Sequence, residues 1–461
     1  MTALDDFATW EPLLRLLRAA HAERLAAPGG YVAGRIARDG WSLPALQPRR
    51  AVPVTGVPVT VVRGELDAVQ QVQDALAAAG VDDVAFTAEI PPGGRAVLQL
   101  FTPSAAVGRA LGNAHPGALL LVEGAVPAPW RRRPEAVPEA RPAPSADLAL
   151  LERTLRERIP DAVGATEEEI AAAEARLGFS LPAEVRVLYR VTRARPADWV
   201  DDDEAAERVF DAVGFELTAL DCISVADTPD RSFLWELAAT EAAVTPPDSA
   251  TQNLVGSPGW VVIGETGGGD RVAVDLTPGP RGHTGQVIVL DRAYGLGAGL
   301  LAESLTDLVQ DPERSWCSAR SWDRPPYVAR IHRPYGQGVE AAAHPGLEVL
   351  SLGGTDGEPF SLAAVVGLPR LRTLVACPGT LVDPLEIAGL TGLEFLSLPP
   401  EDWRALLDAD AVPRSLAAAG IGVYTDRDPR PVMALANELL ALRGRPPITE
   451  TVVEGELGRL P

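Results

Sequence analysis

Within "TEEEIAAAEARLGFSLPAEVRVLYRVT", residues 166–192, the boundaries of two successive helices are set by single residues. Thr166 and Glu169 stand at capping-box spacing, where hydroxyl and carboxylate each satisfy the other's backbone amide. Ile170, Ala173 and Leu177 form an apolar stripe, and Gly178 supplies the left-handed exit residue. Pro182 starts the second helix, where a missing N–H costs nothing, and Val185, Leu188 and Val191 face the core. Upstream, "SADLALLERTLRERI" puts Leu148, Leu151, Leu155 and Ile159 on one helical face. Downstream, "FELTALDCISV", "WVVIGET", "RVAVDLT" and "GQVIVLDR" are apolar runs of strand length, punctuated by Gly and Pro. The closing "LLAESLTDLVQ" is again amphipathic. Helices, then an antiparallel sheet, then a helix describe an α+β domain over 147–312.

The glycine run Gly267–Gly269, followed by Asp270, raises the question of a phosphate-binding loop. A P-loop needs a lysine, and the 41 basic side chains of this chain are all arginine. A dinucleotide fingerprint needs a helix after its glycines, and here a strand-like "RVAVDL" follows. Consecutive glycines with Asp suit a tight hairpin, so the run is read as a turn.

The flanking regions follow other rhythms. Residues 1–125 are read as a small α/β domain of unassigned family. Its opening "TWEPLLRLLRAAHAERLAA" has a helical stripe through Leu13, Leu14, Leu17 and Leu25. "VPVTVV", "DAVQQVQDALAAAG" and "DVAFTAEI" then suggest strand, helix and strand, and "RAVLQLF", "SAAVGRALGNA" and "GALLLVEG" suggest the same order again. Residues 126–146 carry scattered prolines and the Arg131–Arg133 cluster, the composition of a solvated linker. Residues 313–336 form a connector rich in Arg, Trp and Tyr. From 337 to 461, "LEVLSL", "LRTLVA" and "LEFLSL" recur at intervals of 24 and 22 residues. That spacing marks a leucine-rich-repeat-like region, closed by the helix "PVMALANELLALRG". The whole is expected to be an α+β multidomain chain.

Charge bounds the partners. The formal net charge is −22, and between 147 and 310 there are 29 Asp and Glu against 13 Arg, a net of −16. Such a chain repels polyanions, so no nucleic-acid partner is expected. No stretch of about 18 apolar residues indicates a membrane span. The acidic N-terminus is unlike a secretory signal, and Cys222, Cys317 and Cys377 have neither disulfide nor metal spacing. A cytoplasmic protein is expected. The five histidines, His21, His115, His283, His332 and His344, show no metal-binding pattern, and no nucleophile elbow occurs. No catalytic, cofactor or metal residue is assigned, and the chain is expected not to be an enzyme.

The middle segment resembles the SUKH superfamily, which includes the fungal Smi/Knr-type cell-wall regulators and many bacterial toxin-immunity proteins. The likeness is carried by Gly178, Leu181, Pro182, Tyr189, Trp260, Gly268, Gly269, Asp270, Asp275, Gly285, Val287, Ser304 and Leu305. In that family these positions mark the fold and have no catalytic role. The resemblance implies a protein-binding domain whose partner is set by surface variation, in an immunity protein or scaffold of a toxin system. A regulatory scaffold of cell-envelope synthesis is the alternative, and an enzyme with its site in the N-terminal domain is a third. The candidate partner-binding residues are Asp201, Asp202, Asp203, Glu204 and Glu207, in the acidic run where this family varies. They suit a basic protein such as a toxin domain. The oligomeric state is left open.

Overall fold

The computed structural model describes residues 3–46, 59–110, 112, 114–199, 204–292, 295–311, 327–332, 338–354, 357–424 and 427–458. The chain is a mixed α+β protein with three sheets among these residues. It divides into two compact units. One comprises Met1–Ala125, Leu234–Glu236 and Ala329–Pro461, the other Val126–Phe233 and Leu237–Val328.

The second unit is organised by an antiparallel meander. Strands Trp260–Glu265, Arg271–Asp275, Gln286–Leu290 and Gly299–Ala302 pair in chain order. The short strands Glu216–Leu217 and Ser224–Val225 both join Trp260–Glu265. One face of the sheet presents Val261, Ile263, Val272, Val274 and Val287 to the helices Leu148–Arg158, Glu167–Leu177, Ala183–Val191, Ala205–Val213 and Leu305–Gln310. Each such side chain contributes about 1.5–3 kcal/mol when fully buried. The opposite face carries Trp260, Val262, Ala273, Ile288 and Leu290, packed with Ala226 and Leu254 from irregular chain. A sheet buried on both sides needs continuous apolar runs, and "WVVIG" and "QVIVL" supply them.

The helix boundaries follow the capping residues. The Thr166–Glu169 box is closed in both directions, and Gly178 ends its helix at φ 82°. Pro182 sits one position earlier than expected, as the N-cap of Ala183–Val191.

The first unit departs from its sequence reading. "VPVTVV" was expected as a strand, yet Val59–Ala79 is one helix of 21 residues. No helix forms over "SAAVGRALGNA" among the described residues. A hairpin was missed: Val32–Ala37 pairs with Gly40–Ser42 across Arg38 and Asp39. The larger difference concerns the tail. Strand Thr449–Glu456 runs antiparallel to Arg95–Thr102 along its whole length, giving a sheet ordered Thr449–Glu456, Arg95–Thr102, Asp83–Glu89, Val32–Ala37, Gly40–Ser42. The regions expected as separate domains over 1–125 and 337–461 therefore share one sheet.

They share a second as well. Val349–Gly353, Thr373–Ala376, Phe395–Leu398 and Ala418–Ile421 pair in parallel, aligning Leu350, Leu374, Leu396 and Ala419. Leu119–Leu120 adds antiparallel to Ala418–Ile421, and Val328–His332 lies at the other border. The recurrent leucines point into one core together with Phe101, Trp403, Leu435 and Leu439. Two buried ion pairs, Arg35 with Asp83 and Arg372 with Glu348, are built into this unit.

Residues 126–146 are not a solvated linker. Trp130 packs on Phe233 at 5.1 Å and donates to the Arg231 carbonyl at 3.0 Å. Glu135 exchanges hydrogen bonds with the Gln252 side chain, at 2.8 and 2.7 Å. The prolines favour extended chain, Ala128–Arg131 forms a short helix within it, and Arg131–Arg133 stay exposed. Of the 313–336 connector, only 327–332 lie within the described residues.

Candidate functional site

The glycine run joins two neighbouring strands as a hairpin. The Thr266 amide donates to the Asp270 carbonyl at 2.7 Å and Gly269 donates back to Thr266 at 2.8 Å. The Thr266 hydroxyl accepts from the Gly268 and Asp270 amides at 3.3 and 3.1 Å. Gly269 takes φ 83°, a conformation that a side chain would strain. Asp270 in turn accepts from the Arg292 amide at 2.9 Å. A phosphate cradle needs converging free N–H groups, and the amides of Thr266, Gly268, Gly269 and Asp270 already have partners inside this turn.

The other polar markers of the second unit are likewise committed to structure. Asp275 is fully buried and accepts from the Thr277 amide at 2.8 Å and from Gln286 at 2.9 Å. Burial pushes its carboxyl above the ordinary carboxylate range, with the hydrogen bonds acting in the opposite sense. Tyr189 is buried and donates its hydroxyl to the Thr218 carbonyl at 2.8 Å. Glu184 is buried and accepts from the Leu305 and Thr306 amides at 3.2 and 2.9 Å. It thereby caps the Leu305–Gln310 helix, whose first amides have no intrahelical partner. Ser304 is the same helix's own N-cap. No described group of three His, Cys, Asp or Glu is placed to hold a metal ion.

The expected partner-binding run falls at the start of Ala205–Val213. Asp201, Asp202 and Asp203 lie outside the described residues. Glu204 is the N-cap residue of this helix and Glu207 lies in its first turn, where a carboxylate is favoured by the helix dipole. Both are exposed. The helix buries Val209, Ala212 and Val213 and turns Glu207, Phe210 and Asp211 outward. Phe210 is 40% exposed, an aromatic ring between two acids at one-turn spacing. Arg208 approaches Glu204 at 3.9 Å. The sequence reading took the acids and missed Phe210, although "AAERVFDAV" shows an apolar residue off the buried stripe. The exposed part of this helix carries Glu204, Glu207 and Asp211 with Arg208 and Phe210 among them.

Residues 164–311 match the model of the SMI1 / KNR4 family (SUKH-1). A glucan synthesis regulatory protein of Neurospora crassa is 37% identical to the chain over 68 residues, 15% of this chain. The matched stretch spans 13% of that relative's own length.

Proposed function

We propose that this is a non-enzymatic protein-binding protein, and that its SUKH-1 segment docks a basic protein through the exposed face of Ala205–Val213. The observation that carries the reading is the pairing of that acidic, Phe210-centred face with a unit whose buried polar groups are used for structure. Aromatic anchors rimmed by charge are where binding energy concentrates, and a field of this sign raises the association rate of a basic partner. Asp201, Asp202 and Asp203 extend the same acidic run in sequence.

Two settings fit such a module. The name of the Neurospora crassa relative favours a regulatory scaffold in cell-envelope synthesis. The strong negative charge favours an immunity protein for a basic toxin domain. In either setting the protein works in the cytoplasm; among the described residues no helix is long and apolar enough to cross a membrane. The parallel strands with aligned leucines are read as a leucine-rich-repeat-like element that offers a second surface.

With a partner isolated from the native host, Phe210→Ser is expected to weaken equilibrium binding at least tenfold, mainly through faster dissociation. Neutralising Glu204 and Glu207 together should slow association, and the loss should shrink at high salt. Stopped-flow kinetics at two salt concentrations separates the two effects. Wild-type rates in both variants would remove this face from the interaction.

A further inference from the structure

The sheet built from both ends of the chain has an open border. Thr449–Glu456 pairs with Arg95–Thr102 on one side, and no described strand pairs with its other side. The border strands Gly40–Ser42, Gly299–Ala302, Glu216–Leu217, Val328–His332 and Leu119–Leu120 are at most five residues long. Thr449–Glu456 has eight. Short edges resist pairing with another chain, and a long one invites it.

Register identifies which backbone groups are available. The Leu457 amide donates to the Gly94 carbonyl at 2.8 Å, next to the paired Glu456 and Arg95. Antiparallel strands alternate their hydrogen-bonding direction residue by residue. Odd-numbered residues therefore bond inward, and Glu450, Val452, Glu454 and Glu456 direct N–H and C=O outward. The strand is held extended at both ends. Asn437 brackets Ile448, donating to its carbonyl at 3.1 Å and accepting from its amide at 2.7 Å. Arg18 donates to the Gly458 carbonyl at 2.6 Å. Phe7 covers Gly455 so closely that a Cβ there would lie 2.2 Å from the ring, which fixes the inner face. A strand fixed in advance loses little further entropy on pairing.

Side chains decide what can pair with it. The four outward residues are all exposed, with Val452 52% accessible between Glu450 and Glu454. Arg95 contacts Glu454 at 2.8 Å and Gln99 contacts Glu450 at 3.2 Å, so one positive charge stands against three carboxylates. A second copy added here would bring glutamates against glutamates, and like charges across strands destabilise pairing.

We propose that Thr449–Glu456 is a strand-addition site for an extended, basic segment of a partner protein. The incoming strand takes main-chain hydrogen bonds from Glu450, Val452, Glu454 and Glu456. Its Lys or Arg side chains at alternate positions meet the three carboxylates, and an apolar side chain lies over Val452. The site is in a different unit from the SUKH-1 segment, so it stands or falls independently of the function proposed above.

The test uses the full chain and an eight-residue peptide designed to add antiparallel, with lysine facing Glu456, Glu454 and Glu450, valine facing Val452, and threonine at the positions between. A control peptide has the same sequence with its backbone N-methylated on alternate residues, keeping its charge while losing its pairing groups. Binding of the unmodified peptide should exceed that of the control at least tenfold. Hydrogen exchange should show new protection at the amides of Glu450, Val452, Glu454 and Glu456. Val452→Pro removes only an outward amide, a position where sheets tolerate proline, so the inward amides should stay protected while binding falls tenfold. Should Val452→Pro lose that inward protection, the two peptides on the wild-type chain decide alone. Equal binding of the peptides, or unprotected outward amides, overturns the proposal. So does self-association that Val452→Pro abolishes, since the occupant is then a second copy.

Discussion

The two units differ in how far apart in sequence their partners lie. In the second unit the main strands pair with their chain neighbours, from Trp260–Glu265 through Gly299–Ala302. In the other unit Thr449 pairs with Thr102, and Ala418 with Leu120. A hairpin is specified by its turn, and the "TGGGD" turn closes on itself through Thr266. A strand whose partner lies hundreds of residues away is specified only by the surface it meets. Contiguous architecture is thus readable from local signals, whereas discontinuous architecture depends on contacts that no window of sequence contains.

The strongest way to break the comparison is to remove the tail strand. Truncation before Ile448 deletes the buried side chains of Ile448, Val453 and Leu457, at about 1.5–3 kcal/mol each. The amides of Arg95–Thr102 should lose their exchange protection, while those of Gln286–Leu290 keep theirs. Equal loss in both units would mean that they do not unfold separately.

A smaller effect probes one of the distant ties of the second unit. Glu184→Ala leaves the two buried amides of Leu305 and Thr306 without their side-chain acceptor, while the Thr306 hydroxyl keeps the Asp147 carbonyl at 3.3 Å. A loss of about 3 kcal/mol is expected from unsatisfied buried donors. Glu184→Gln, which keeps one acceptor oxygen, should lose less. Denaturant melts of the three proteins check the order. A neutral Glu184→Ala would show that Ser304 alone caps the helix.

The smallest expected effect is a pH dependence in the first unit. Asp402 is half-buried near Glu401, and desolvation followed by that neighbour pushes its carboxyl up to about 6 from an ordinary 3.8. The folded chain then holds this proton more tightly than the unfolded chain does. The resulting stability is full below about pH 3.8 and is lost as pH rises through about 6. Asp402→Asn should therefore raise the melting temperature at pH 7.5 and change it less at pH 4.5. An equal shift at both values would exclude the carboxyl as the cause.

Legibility followed the same division. The capping box, Gly178 and the glycine hairpin were visible because each acts within a few residues. The α+β class followed from the order of those elements. The hairpin of Val32–Ala37 and Gly40–Ser42 carries its signal in Asp39–Gly40, and the tail strand carries its own in Thr449, Thr451, Val452 and Val453. Both were missed beside stronger helical patterns. At the candidate site the acids were conspicuous in sequence. Phe210 was less so: its place off the stripe of Val209 and Val213 is in the sequence, but its exposure is set by which face the helix buries.

The sequence by itself determined where the helices of the SUKH-1 segment begin and end, where its sheet turns, and the sign of its charge. Those properties rest on interactions between residues a few positions apart, or on composition alone. Only the tertiary structure decided that 126–146 is bound chain and that the two ends of the protein complete common sheets. It also decided that one eight-residue border is left open. These outcomes depend on which buried faces and free backbone edges remain once the local elements have formed, and that remainder is a property of the assembled chain.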